Sequence, residues 1–300
     1  MNLHGMFVPL TTPFGADGGV ALNHFRENLA RYDRTRLAGY VVNGSTSESV
    51  LLHWEEVYLL WESARRHAAP GKILIAGSGA EATAETIEHT RRAASIGFDA
   101  VLVRTPSFYK PAISTDLLAE HYLRVADASP VPVLLYSVPI FTHVAIDAAV
   151  VARVAAHPNI AGIKDSSGDV SGLSAIVAAA PKSFQTLVGS AGTLFASLEA
   201  GAVGAILAVA NAFPELCCEI YDSARSGDSA RAESLGKRLG VAGKLFGAQH
   251  GIAGLKYALD RRGYYGGPPR PPLLPLSEAA RQEIEAALPG VTAQLSASTD

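Results

Sequence analysis

Alternation constrains this chain more than any other feature. Eight short runs of Val, Ile and Leu stand at residues 6–10, 40–42, 73–76, 100–103, 133–136, 160–163, 186–188 and 202–209. Between them lie segments with helical spacing, at 22–34, 55–68, 84–96, 114–128, 147–156, 172–180 and 193–200. A continuous apolar run marks a strand buried on both faces. Strands alternating with helices assemble into parallel sheets, because a parallel pair needs a crossover. Eight such units predict an α/β fold, a TIM (β/α)8 barrel. Thr83 before Glu85, and Ser114 before Asp116, supply helix-start chemistry.

No linker interrupts this region, so residues 1–212 read as the strands and helices of one barrel. Beyond it the pattern turns to helix alone, at 214–226, 229–246 and 252–261. A Gly- and Pro-rich stretch at 263–275 and a last helix near 277–288 follow. Residues 213–291 therefore read as the eighth barrel helix plus a C-terminal helical appendage. Residues 292–300 are small and polar and read as a frayed tail.

Composition narrows the function. A net charge of −3 gives no electrostatic reason to expect nucleic acid or an anionic membrane. The apolar runs are too short to span a bilayer, and residues 1–12 carry no secretory pattern. Cys217 and Cys218 are adjacent, which suits neither a structural disulfide nor a metal site, so a reducing cytoplasm is expected. The histidines are scattered without metal-ligand spacing. Gly77-Ser-Gly-Ala-Glu-Ala82 imitates a dinucleotide fingerprint, but it sits at the third strand without an acidic partner on the next. Ser167-Gly168 and Ser190 lack the nucleophile-elbow pattern.

A barrel gives the chemistry an address, the carboxyl ends of the strands. The sixth run ends in Ile163-Lys164-Asp165-Ser166-Ser167. A lysine there either reaches out to solvent or pairs with Asp165, or is kept desolvated and attacks a carbonyl to form a Schiff base. Tyr136 ends the adjacent fifth run, either as a core tyrosine capped by backbone or as a proton carrier beside the amine. Ser45 and Thr46, in Gly44-Ser-Thr-Ser-Glu48 after the second run, either cap a helix with Glu48 as box partner or hold a small carboxylate. Gly189, after the seventh run, serves a turn or lets a ligand approach the backbone. The fourth run ends in Arg104-Thr-Pro-Ser-Phe-Tyr-Lys110. Taken together, these groups describe a pocket for a 2-oxo acid: a turn for the carboxylate, an amine for the ketone and a phenol for the protons.

Gly44-Ser-Thr-Ser-Glu48, Thr105-Pro106, Tyr136-Ser-Val-Pro139 and Gly162-Ile-Lys-Asp-Ser166, all in register, resemble the dihydrodipicolinate synthase / N-acetylneuraminate lyase family of pyruvate-dependent class I aldolases. The resemblance runs from about Gly5 to about Leu288. His157-Pro-Asn-Ile160, Lys164 to Asp169, Gly189-Ser-Ala-Gly192 and Gly263-Tyr-Tyr-Gly-Gly-Pro268 are most similar to its 4-hydroxy-2-oxoglutarate aldolase branch. The resemblance implies Lys164 as the Schiff-base lysine, Tyr136 as acid/base and Thr46 in a proton relay. It implies Ser45 and Thr46 on the pyruvyl carboxylate, Gly189 and Ile206 along the pocket wall, and Ser166, Phe108 and Phe141 among the substrate-contacting positions. It further implies pyruvate and an aldehyde as substrates, no metal or organic cofactor, and a homotetramer built as a dimer of dimers.

Two departures stand out. Phe108 occupies the position of the family's second relay tyrosine, and Phe141 that of the arginine by which dihydrodipicolinate synthases bind the aldehyde's carboxylate. His143 stands where glycine is common, as a base or as a space-filling loop residue. The expectation is retro-aldol cleavage of a 4-hydroxy-2-oxoglutarate type. The alternatives are dihydrodipicolinate synthase chemistry, a related hydratase-aldolase or dehydratase, and a non-catalytic 2-oxo-acid-binding protein.

Overall fold

Each apolar run hydrogen-bonds to the next, and the last returns to the first. The structure, a computed structural model, describes residues 1–293. In order, β1 (Gly5–Pro9) leads to α1 (Leu22–Tyr32), β2 (Gly39–Val42) to α2 (Trp54–His67), and β3 (Ile73–Gly77) to α3 (Thr83–Ile96). β4 (Ala100–Arg104) leads to α4 (Thr115–Ala128), and β5 (Val133–Ser137) to the one-turn α5 (Pro139–Thr142) and α6 (Ala148–Val154). β6 (Ile160–Asp165), α7 (Val170–Ala179), β7 (Gln185–Val188), α8 (Leu194–Glu199) and β8 (Gly204–Ile206) complete the series. The eight strands form one closed parallel barrel in sequence order.

Strand alternation separates two cores. Phe7, Val41, Ile75, Leu102, Leu134, Leu187 and Ile206 point inward and fill the barrel. Their neighbours, such as Val8, Val42, Val101, Val103, Leu135 and Ile163, point outward under the helices. Ser114 caps α4 by accepting from Leu117 N, and Asp147 caps α6 by accepting from Val150 N. Thr83 does not cap α3; its hydroxyl turns to His121 Nδ1 at 2.9 Å.

The eighth run is shorter than its apolar composition predicts. Asn211 Nδ2 donates to Pro9 O (2.8 Å) and Ala208 O (2.9 Å), so the chain turns over Ala208–Asn211 instead of extending β8. α9 (Pro214–Ser226) packs on α8 and the start of the barrel, followed by α10 (Ser229–Ala242), α11 (Gly251–Arg261) and α12 (Glu278–Thr292). The helix expected over 229–246 widens into a π-helical segment at Gly243–Gln249. The tail expected at 292–300 lies outside the described residues from 294 onward. Among the described residues, no helix is long and apolar enough to cross a membrane.

Candidate active site

β6 extends through Asp165, so Lys164 lies within a strand and not at its loose tip. Ile163 faces the outer core, and alternation therefore turns Lys164 inward. Only 4 % of the residue is exposed, which removes the solvent-reaching alternative. Asp165, on the opposite face, is occupied by Ser167, whose Oγ donates to its carboxylate at 2.6 Å. Burial raises the Asp165 pKa, and the Ser167 and Ser137 hydrogen bonds pull against that rise. Among the described residues Lys164 forms no ion pair with a carboxylate.

Tyr136 is the register partner of Lys164 on β5 and faces the same interior. The lysine Nζ stands 4.2 Å from the centroid of its ring. The phenol oxygen is 3.3 Å from Ser45 Oγ, so its polar end is turned to another side chain and not to backbone. Ser45, Thr46 and Ser47 form a single 3-10 turn after β2. The hydroxyl beside Tyr136 belongs to Ser45 and not to Thr46, the residue expected to carry the proton relay. Thr46 stands half-buried one step along the turn.

That turn is not an N-terminal capping box. Ser47 Oγ donates to Leu10 O (2.6 Å) and accepts from Asn43 N (3.1 Å), tying the turn to the end of β1. Glu48, the expected box partner, takes a left-handed φ of 59° and sends its carboxylate downward. There it meets Lys256 Nζ of α11 at 2.5 Å and accepts from Arg270 N at 2.8 Å. Both side chains of the ion pair are buried. Burial lowers the Lys256 pKa, with Glu48 opposing. Lys256 also donates to Pro268 O (2.9 Å) and lies over the Phe14 ring, as does Arg270. No sequence motif marks this bracing. Its trace in the sequence is a lone lysine on the face of α11 that carries Leu255, Ala258 and Leu259.

Gly189 forms the wall opposite the turn. A Cβ there would stand 1.9 Å from Ser166 Oγ and 3.0 Å from Lys164 Cε, so the lysine has room only because the position is glycine. Ser166 Oγ is buried and makes no hydrogen bond among the described residues. Ile206 ends β8 fully buried beside Phe7, as packed wall. Gly189→Ala is expected to cost about 1–3 kcal/mol through overpacking, read as a lower denaturation midpoint. An unchanged midpoint would mean that Ser166 swings away freely.

Phe108 and Phe141 do not join this group. They are 76 % and 67 % exposed, Phe108 on the loop after β4 and Phe141 on α5. The Phe108 loop is held by Glu81, which accepts from Ser107 N (2.8 Å), Phe108 N (3.0 Å), Ser107 Oγ (3.1 Å) and Arg104 Nη1 (2.7 Å). Partial burial raises the Glu81 pKa, but these donors outweigh it and hold the carboxyl down to about 2. His143 is exposed with a left-handed φ of 53°, which explains why glycine suits this place. Among the described residues there is no His, Cys, Asp and Glu cluster able to hold a metal.

A sequence profile of the dihydrodipicolinate synthetase family matches residues 2–290. The chain belongs to this family. It is therefore an enzyme of the lyase/aldolase kind. The 4-hydroxy-tetrahydrodipicolinate synthase of Acidiphilium cryptum is 36% identical over 292 residues, covering 96% of this chain and 98% of that protein. A protein of Emericella nidulans named "Probable 4-hydroxy-2-oxoglutarate aldolase, mitochondrial" is likewise 36% identical, over 289 residues, with 94% and 93% covered. The chloride-inhibited dihydrodipicolinate synthase of Acinetobacter baumannii, solved in complex with pyruvate, superimposes with a TM-score of 0.92 at 30% identity, covering 97% of this chain and 99% of that one.

Proposed function

We propose that the protein is a pyruvate-dependent lyase in which Lys164 forms an imine with the ketone of a 2-oxo acid. The observation that carries this reading is the buried lysine, without an acidic partner among the described residues, set against the face of Tyr136. The amine attacks the ketone carbon, and the carbinolamine oxygen leaves as water once protonated. Tyr136, hydrogen-bonded to Ser45, stands where it can deliver and recover these protons. Loss of a proton from the adjacent methyl gives an enamine, with the cationic nitrogen as electron sink. The enamine carbon bonds to an aldehyde carbon, whose oxygen takes up a proton. Water then releases the product and restores the amine. Cleavage is the same path reversed. The Ser45–Thr46 turn supplies hydroxyls and backbone N–H groups for the carboxylate.

Among the related proteins compared, synthases of 4-hydroxy-tetrahydrodipicolinate outnumber the oxoglutarate aldolase. The direction this favours is condensation of pyruvate with an aldehyde, ahead of the retro-aldol cleavage expected from the motifs. Cleavage of 4-hydroxy-2-oxoglutarate stays as the second reading through the aldolase relative, and Phe141 departs from the synthase pattern, since a phenyl ring cannot make the bidentate carboxylate contact of an arginine. Exposed Phe108 and Tyr109, in edge contact at 5.1 Å, fit the contact surface of a homotetramer, which belongs to this proposal.

Incubation with pyruvate and borohydride, followed by peptide mass spectrometry, tests the imine. A reduced pyruvyl adduct on Lys164 is expected, and its absence would sink the mechanism. Initial rates of pyruvate condensation with aspartate semialdehyde, against cleavage of 4-hydroxy-2-oxoglutarate, then decide between the two readings.

A further inference from the structure

With a phenyl ring at Phe141, a carboxylate on the aldehyde half finds no cation there, yet the barrel mouth holds one elsewhere. Arg104 is the last residue of β4 and the register partner of Tyr136. Ala100 and Leu102 point inward on the same strand, so alternation turns Arg104 inward too. Its side chain crosses the loop after β3, where a Cβ on Gly79 would come within 2.9 Å of Arg104 Cγ. Nη1 donates to Glu81 Oε1 (2.7 Å) and Thr105 O (3.2 Å). Among the described residues, Nε and Nη2 donate to no protein acceptor. Glu81 spreads its charge over Ser107 and Phe108 as well, and so holds one edge of the guanidinium without consuming the other.

Arg104 lines a cavity of about 290 Å³ together with Ser45, Tyr136, Glu81, Glu85 and Trp54. Glu85, the second carboxylate on its wall, accepts from Trp54 Nε1 at 3.1 Å. Arg104 and Lys164 flank Tyr136 on neighbouring strands, which places their backbones roughly 9–10 Å apart. A five-carbon diacid bound through its ketone can bridge that gap to a guanidinium.

We propose that Arg104 is a specificity-determining residue whose free N–H edge receives the carboxylate of the aldehyde half, in place of a cation at Phe141. The same contact holds the distal carboxylate of a diacid undergoing cleavage. This inference rests on the Lys164 imine, and it selects aldehydes that carry an acid group over neutral ones.

The test compares wild type, Arg104→Met and Arg104→Lys with pyruvate as donor and two aldehydes, glyoxylate and the uncharged glycolaldehyde. Arg104→Met should lower kcat/KM for glyoxylate about 10–100-fold, mainly through KM, and leave glycolaldehyde within about threefold. Arg104→Lys should recover part of the loss, since a point charge replaces a fork. Glu81→Gln controls for the loop clamp. It keeps the guanidinium and should not reproduce the selective defect. Losses equal for both aldehydes, including complete loss of both, with the borohydride adduct on Lys164 retained, would overturn the assignment in favour of a structural role. Failure of the wild-type protein to form that adduct would instead strike the imine reading and this inference with it.

Discussion

Lys164→Met is expected to abolish the borohydride-trapped pyruvate adduct and to cut kcat/KM by on the order of 10⁴-fold or more, the scale on which removing a covalent nucleophile acts. The same substitution should leave the protein as stable as the parent or more so. An amine buried to 4 % exposure with no ion-pair partner among the described residues costs desolvation energy, and an apolar side chain of similar length removes that cost. Activity and thermal midpoint should thus move in opposite directions, which a merely structural lysine would not produce. Tyr136→Phe provides the companion measurement. It keeps the ring against which Nζ lies but loses the hydroxyl that faces Ser45, and turnover should fall about 10²–10⁴-fold. A Lys164→Met protein that retains turnover would remove the lysine from the chemistry.

The second large effect is expected at the ion pair that holds the Ser45–Ser47 turn. Lys256→Met leaves the Glu48 carboxylate buried without its ammonium, and breaking such a pair costs about 3–5 kcal/mol. The thermal midpoint should drop by roughly 5–8 °C. Replacing both partners by apolar residues, Glu48→Leu with Lys256→Met, should recover much of the loss, because the desolvation cost of both ions disappears together. Pyruvate affinity should not recover in parallel. Glu48 follows directly on the Ser45–Ser47 turn, and its left-handed backbone is held by the contacts of its carboxylate. A double variant that regains both stability and affinity would show that the turn keeps its shape unaided.

Most of the barrel was legible because it is written in local patterns. Each strand is an apolar run and each crossover a helical repeat, and closure follows from their number and order. The eighth run misled by composition, since Ala208 and Val209 look like strand but join the turn held by the long-range bonds of Asn211. In the site, Lys164, Tyr136 and Ser45 come together as their strand-end positions require, because register places Tyr136 beside Lys164. What stayed hidden depends on direction. Choosing Ser45 over Thr46 as the neighbour of the phenol needs the rotation of a 3-10 turn, which spacing does not fix. The outward course of Phe108 depends on Glu81, 27 residues earlier. Arg104 was visible at the end of its run, but its inward aim requires following alternation one residue past the apolar stretch.

The brace on the Ser45–Ser47 turn also sets an order of events during synthesis. Glu48 and the backbone N–H of Arg270 lie 222 residues apart in the chain. At bacterial-to-eukaryotic elongation rates of about 5–20 residues per second, roughly 10–45 s pass between the two leaving the ribosome. Until Lys256 emerges, late in that interval, the nascent barrel carries an acidic side chain destined for the interior and no cation to meet it. The Ser45–Ser47 turn is therefore among the first parts made and among the last braced, so a ribosome-stalled or C-terminally clipped chain would display the barrel with this turn unsupported.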